Sequence, residues 1–165
     1  MFETYSKALP RNPTLKPGDD PMPQPTTVKD CMRRQPLTIR PDASLAEAVK
    51  LITEHGLTGL TVTDEAGTVK GVLSELDCLR GILGSIYNDG DPEHTRVSEV
   101  MTSVANACSI DDNIVEVAQS MLETRQRRRP VVQDGVLVGQ VSSRNILWAL
   151  MEHSRGRVNS QRHSS

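Results

Sequence analysis

Residues 68–83, TVKGVLSELDCLRGIL, can be laid without a gap on residues 136–151, VLVGQVSSRNILWALM. Gly71 then meets Gly139, Ser74 meets Ser142 and Leu79 meets Leu147, with apolar positions matching along the stretch. One residue is lost in the turn before it, where Gly67 meets Gly135. Upstream of that turn the agreement continues. VKDCM (28–32) falls on VSEVM (97–101), PDASLAEAV (41–49) on IDDNIVEVA (110–118), and Leu51-Ile52 on Ser120-Met121. An internal repeat therefore organises the chain, and the fold is read from one copy of it.

Each copy has the same local logic. A short strand (PLTI or ANACS) leads to an N-cap, Ser44 or Asn113, followed three residues later by Glu47 or Glu116. The first pair predicts a capping box and the second a close variant. Leu45, Ala48, Val49 and Ile52, and in the second copy Ile114, Val117, Ala118, Met121 and Leu122, recur at helical spacing. Next come a strand, a tight turn (DEAG or QDG) and a second strand ending in GVLS or GQVS. Asp134-Gly135 is a strong hairpin signal. A last helix opens at Ser74 or Ser142. The unit is thus β-α-β-β-α, about 55 residues, too small to bury an adequate core alone. The fold class expected is α+β, with two such repeats forming one pseudo-two-fold body.

The expected boundaries are a Pro-rich disordered arm over 1–25, a first repeat over 26–85, a linker over 86–96, a second repeat over 97–153 and a basic flexible tail over 154–165. The arm holds six prolines and acidic residues with no apolar core segment, so it does not read as a secretory leader. Three cysteines without a C-x-x-C fit a soluble protein of the reducing cytoplasm. Cys31, Cys78 and Cys108 align with Val100, Ile146 and Ile39 of the other copy, so they read as buried thiols. His55, His94, His153 and His163 show no metal-ligand spacing, and no nucleophile or phosphate-loop motif appears. Nothing supports catalysis.

The layout resembles a CBS domain pair, the regulatory module named after cystathionine β-synthase. The carriers are VKDCM…PDASLAEAV…GTVKGVLSELDCL and VSEVM…IDDNIVEVA…RRPVVQDGVLVGQVSSRNIL, covering residues 28–153. The resemblance implies a non-catalytic module that binds an adenosine-containing ligand (AMP, ADP, ATP, S-adenosylmethionine or NAD, with Mg as an option) in clefts between its repeats. It also implies a disc-shaped homodimer and an energy- or nucleotide-sensing role relayed to a partner protein.

In SELD (74–77) two readings stand. Ser at the N-cap and Asp three residues on stabilise any helix. By the resemblance, Asp77 takes the two ribose hydroxyls, which a carboxylate can accept together, while Ser74 and the free N–H groups of the first turn hold an anion. The second copy departs from this with SSRN, placing Asn145 where the ribose-binding Asp belongs. One strong and one weak or empty site is expected.

The run RQRRRP (125–130) is also open. Its arginines suit either a solvated helix end or phosphate oxygens, which guanidinium forks match bidentately. The resemblance assigns Arg127 and Arg128 to phosphates of the nucleotide held by Asp77, leaves Arg125 and Arg129 to solvent, and makes Arg144 a further candidate. The matching stretch GLTGLTV has no cation and carries Thr61 in place of Pro130. Thr38, with Ile39, Pro41, Val62 and Val131, falls loosely where base and sugar contacts arise. Two other functions compete: a ligand-free adaptor dimer, and nucleic-acid binding through the arginines. The second is disfavoured by a net charge of −2 and by only four aromatic residues.

Overall fold

Helix α1 (Leu45–His55) forms as its pattern predicts, burying Leu45, Ala48 and Ile52 and ending at Gly56 in the left-handed region with φ 60°. Its counterpart α4 (Ile114–Thr124) buries Ile114, Val117 and Met121, but Leu122, expected on the buried face, is 81% exposed. The left-handed C-cap of α4 is Arg125 (φ 54°), a side-chain-bearing residue where the first copy has glycine. These are described by a computed structural model covering residues 25–103 and 106–163. The expected arm falls almost wholly outside the described residues.

The expected capping box at Ser44 is only half made. Ser44 Oγ accepts from Glu47 N–H at 3.0 Å. No return bond from Ser44 N–H to the Glu47 carboxylate is found among the described residues; the backbone on either side of Ser44 is bridged to another segment, with Leu45 N–H donating to Thr95 and Val97 N–H to Ala43.

Strand β1 (Arg33–Arg34) precedes β2 (Thr38–Ile39), β3 (Gly59–Thr63), β4 (Val69–Ser74), β5 (Arg128–Gln133) and β6 (Val136–Ser142). One sheet has the order β2-β3-β4, with β2 parallel to β3 (Thr38↔Thr61) and β3 antiparallel to β4 (Gly59↔Ser74). The other has the order β1-β6-β5, with Arg33↔Gln140 and Arg34↔Gly139. The remaining helices are α2 (Glu75–Tyr87), α3 (Val97–Val100) and α5 (Ser143–His163). Residues 154–163, read from sequence as tail, continue α5 as helix.

Two compact units result, and they do not follow chain order. Among the described residues, one comprises 25–34, 108–131 and 139–163, and the other comprises 35–103, 106–107 and 132–138. In the first, the turn at Val28–Asp30 is held by Val28 N–H to Asp112 and Lys29 N–H to Ile110. In the second, the corresponding turn α3 is held by Ser98 N–H to Pro41. Each VxxxM segment thus packs with the body of the other copy.

The aligned glycines are explained by the same exchange. A Cβ on Gly71 would stand 2.8 Å from Thr102 O and 2.9 Å from Met101 Sδ. On Gly139 it would stand 2.9 Å from Arg33 O and 2.8 Å from Met32 Sδ. A segment crosses over each strand so closely that only hydrogen fits.

The core of the second unit gathers Ile39, Leu45, Leu60, Val62, Leu73 and Val97 around α1 and the β2-β3-β4 sheet. Their aligned counterparts in the first unit, among them Cys108, Ile114, Val131, Val141 and Val28, are buried too. The position aligned with Leu60 departs from this. Arg129 stands where the first copy has Leu60, and it is buried at 5% exposure. That corrects the expectation of a solvated side chain. Residues 129–131 of β5 are all buried, so residue 129 lies inside, and the guanidinium is satisfied by three neutral oxygens near the end of α4. Nη2 donates to Ser120 Oγ at 2.8 Å and Thr124 Oγ1 at 3.1 Å, and Nε donates to Gln126 Oε1 at 3.1 Å.

Candidate functional site

The SELD segment closes β4 and opens α2, so its side chains meet at a strand-to-helix turn. Ser74 Oγ accepts from Asp77 N–H at 3.1 Å, and Asp77 Oδ2 accepts from Ser74 N–H at 2.9 Å. This reciprocal box fixes the carboxylate. Asp77 is buried at 5% exposure. A buried carboxylate is unfavourable unless charge and hydrogen bonds compensate it, and two further groups do so. Arg80 Nη1 donates to Oδ1 at 3.1 Å, one helical turn on. Thr102 Oγ1 lies 3.3 Å from Oδ1 and 3.4 Å from Oδ2.

A cavity of about 340 Å³ opens beside this carboxylate, lined by Asp77, Arg80, Glu99, Val100, Met101 and Thr102 among others. That volume lies within the roughly 300–1,000 Å³ usual for small-molecule sites. Arg80 and Thr102 were missed by sequence reasoning. Arg80 carried a local signal, being three residues past Asp77 on a helix. Thr102 comes from 25 positions away and is placed only by its backbone bridge to Val72, N–H to O at 2.9 Å in each direction.

The start of α5 repeats the arrangement without the charge. Asn145 Oδ1 accepts from Ser142 N–H at 3.0 Å, and Ser142 Oγ accepts from Asn145 N–H at 3.1 Å. Asn145 is buried at 6% exposure. The turn at Ser142 therefore keeps its box with an amide in place of a carboxylate.

Of the other expected residues, Arg127 is exposed, and its carbonyl accepts from Ser143 N–H at 2.8 Å. Its backbone thus abuts the helix start that carries Asn145. Arg128 is half-buried at the head of β5, and Arg144 is exposed in the first turn of α5. These three belong to the same compact unit as Asn145, whereas Ser74, Asp77 and the exposed Thr38 belong to the other. Arg125 is exposed.

The three cysteines are buried and free. Burial pushes Cys31 up to about 12, with Asp30 and Cys108 adding to it. Burial likewise pushes Cys78 up to about 11, with the negative Asp77 and Glu75 adding. Cys108 is also raised by burial, against a downward pull from Arg129. Thiols held protonated in this way are poor nucleophiles and poor metal ligands. Among the described residues no cluster of three or more His, Cys, Asp or Glu could hold a metal ion. Nor is any described helix long and apolar enough to cross a membrane.

Two β-α-β-β-α copies that exchange their leading segments, each with a boxed helix start, define a CBS domain pair. The sequence profile of the CBS domain matches residues 28–84 and 97–152. The chain belongs to the CBS domain family, whose members are generally regulatory rather than catalytic.

It is 32% identical over 160 residues to the chloroplastic CBS domain-containing protein CBSX2 of Arabidopsis thaliana, a match covering 81% of this chain and 67% of that protein. Chloroplastic CBSX1 of the same plant is 29% identical over 143 residues, covering 71% of this chain and 60% of CBSX1. The chain therefore spans about two thirds or less of these relatives. Among solved structures, CBSX2 in complex with AMP superposes with a TM-score of 0.68 at 30% identity, covering 78% of this chain and 98% of that one. The CBS domain pair of MJ0100, in complex with 5-methylthioadenosine and S-adenosyl-L-methionine, gives 0.65 at 26% identity, covering 76% and 96%.

Proposed function

We propose that this chain is a regulatory module that binds an adenine nucleotide of the AMP, ADP or ATP class and relays its occupancy to a partner protein. The observation that carries the reading is the buried, boxed Asp77 carboxylate on the wall of a cavity large enough for a nucleoside. A carboxylate so placed is prepared for a ribose diol at little ordering cost, since the capping box already fixes its rotamer. The solved complexes of CBSX2 with AMP and of MJ0100 with two adenosine derivatives support the ligand class. Arg127 and Arg128 are retained in the proposal as phosphate contacts, with Arg144 secondary to them, and Thr38 as a sugar or base contact. Mg would accompany a di- or triphosphate.

Calorimetric titration with AMP, ADP and ATP tests this reading, with Asp77→Ala as the control. Saturable binding by the wild type that the variant weakens is expected. Absence of binding to all three ligands refutes it, as does binding indifferent to Asp77.

The proposed homodimer rests on a separate observation. Helix α2 leaves Leu76, Leu79, Leu83, Ile86 and Tyr87 exposed at helical spacing, with Tyr87 81% accessible. Such a stripe is one a second copy would cover. Sedimentation at micromolar concentration should show a dimer that Leu79→Glu with Leu83→Glu dissociates. A monomeric wild type would exclude it.

The adaptor reading draws on Asn145, which shows that the helix-start box is kept for capping even without a ligand-binding charge. Partner binding unaffected by added nucleotide and by Asp77→Ala would favour it. The nucleic-acid reading loses ground, since Arg129 is buried and Arg125 caps α4, leaving no continuous run of five exposed residues.

A further inference from the structure

The Asp77 carboxylate is already nearly full. Two carboxylate oxygens offer about four lone-pair sites. Ser74 N–H occupies one at 2.9 Å, Arg80 Nη1 another at 3.1 Å, and the Thr102 hydroxyl is shared between both oxygens. A ribose diol brings two more donors, so something must leave. The Ser74 N–H is backbone and fixed by the helix cap. Arg80 is the mobile member: its side chain is 74% exposed, and its pair with Asp77 is a single contact across one helical turn. The guanidinium end of the pair is in solvent, so it can exchange partners without being desolvated, although Asp77 itself is buried.

We propose that Arg80 sets the preference of this cavity for phosphorylated over uncharged adenosine ligands, by giving up Asp77 to the ribose and passing to the ligand's phosphate. This rests on the reading of Asp77 as the ribose acceptor. Arg80 lines the same cavity as Asp77, so its guanidinium remains beside the ligand after it lets go. The remaining ionisable lining groups, Asp77 and Glu99, are acidic. Without Arg80 the cavity wall carries only negative charge and repels a phosphate. An uncharged nucleoside that displaces Arg80 from Asp77 returns nothing to the guanidinium. A nucleoside monophosphate breaks the same pair and replaces it with a bidentate phosphate contact. Arg80 thus opposes one ligand class and favours the other, within one compact unit and independently of Arg127 and Arg128.

The test is calorimetric titration of the full chain with AMP and with adenosine, for the wild type, Arg80→Ala and Arg80→Lys. The wild type should prefer AMP. In Arg80→Ala the preference should shrink about tenfold or more, the size expected for a lost charge-assisted contact. Adenosine affinity should hold or rise, and AMP affinity should fall. Arg80→Lys should fall between the two, keeping a point charge without the fork. An unchanged AMP-to-adenosine ratio in Arg80→Ala overturns the proposal, as does equal loss for both ligands, which a merely structural role would produce. A wild type that binds both ligands without preference refutes this proposal and leaves the nucleotide reading standing. A wild type that binds neither overturns this proposal, and the nucleotide reading falls with it only if ADP and ATP fail to bind as well.

Discussion

The substitution Asp77→Asn separates helix capping from ligand recognition, because the protein contains its own reference for it. At the equivalent helix start Asn145 holds Ser142 N–H at 3.0 Å, against 2.9 Å for Asp77 on Ser74 N–H. The amide oxygen therefore keeps the box. What Asp77→Asn loses is the Arg80 pair, whose side chain is 74% exposed, worth a few tenths of a kcal/mol, or about 0.5 kcal/mol with the weaker Thr102 contact included. Asp77→Ala loses all of that plus the cap, about 1 kcal/mol more, and leaves Ser74 N–H without its acceptor. For a chain of this size about 2–4 °C accompanies each kcal/mol. Asp77→Asn should then melt about 1–2 °C below the wild type, and Asp77→Ala about 3–6 °C below. In calorimetry with AMP, Asp77→Asn should nonetheless bind at least about tenfold more weakly, since one neutral oxygen replaces two charged ones facing the diol. Equal melting losses for the two variants would refute the capping argument. Wild-type AMP affinity in a folded Asp77→Asn protein would refute the ribose assignment.

Arg129 occupies the strand position that Leu60 fills in the first repeat, and its three partners are neutral oxygens on and just past α4. Arg129→Leu should keep stability within about 1 kcal/mol, while Arg129→Ala should lose about 2–3 kcal/mol from the void and the lost bonds; urea midpoints for the two variants check this, and similar losses would refute it. Arg125 pays the left-handed C-cap penalty that Gly56 avoids in the other copy. Arg125→Gly should therefore raise stability by about 0.5–1 kcal/mol in the same assay, and a loss would contradict it. Cys31 and Cys78 titrate near 12 and 11 when folded, above their ordinary 9.0. The folded state holds these protons more tightly than the unfolded chain, so their contribution is complete below about pH 9 and declines as pH rises toward 11–12. Native protein should accordingly resist thiol reagents at pH 8 and label only on unfolding; rapid native labelling of either thiol would contradict their burial.

The sequence by itself determined most of the elements, but the strand expected at ANACS is, among the described residues, only a single bridge from Cys108 to Val131, and β1 was not foreseen. The helical spacing of Leu45, Ala48 and Ile52 and of Ile114, Val117 and Met121 foretold which faces are buried. The alignment of each cysteine with an apolar residue foretold where the thiols lie. Such features are local, or repeat at fixed spacing, so a linear chain displays them. The SELD box was legible for the same reason, since its partners are three residues apart.

Tertiary structure decided what depends on distant segments. Val28–Asp30 bonds to Ile110 and Asp112, and Leu45 to Thr95, exchanges that no local propensity encodes. Thr102 reaches Asp77 because its backbone bridges Val72, in close contact with Gly71. Arg129 is inside although its neighbours in the run are charged, because it lies in the buried stretch of β5 and the oxygens of Ser120, Thr124 and Gln126 compensate the desolvation of its guanidinium. A side chain's surroundings are set by the residues folded against it, and for Asp77 and Arg129 alike those residues decide what its charge does.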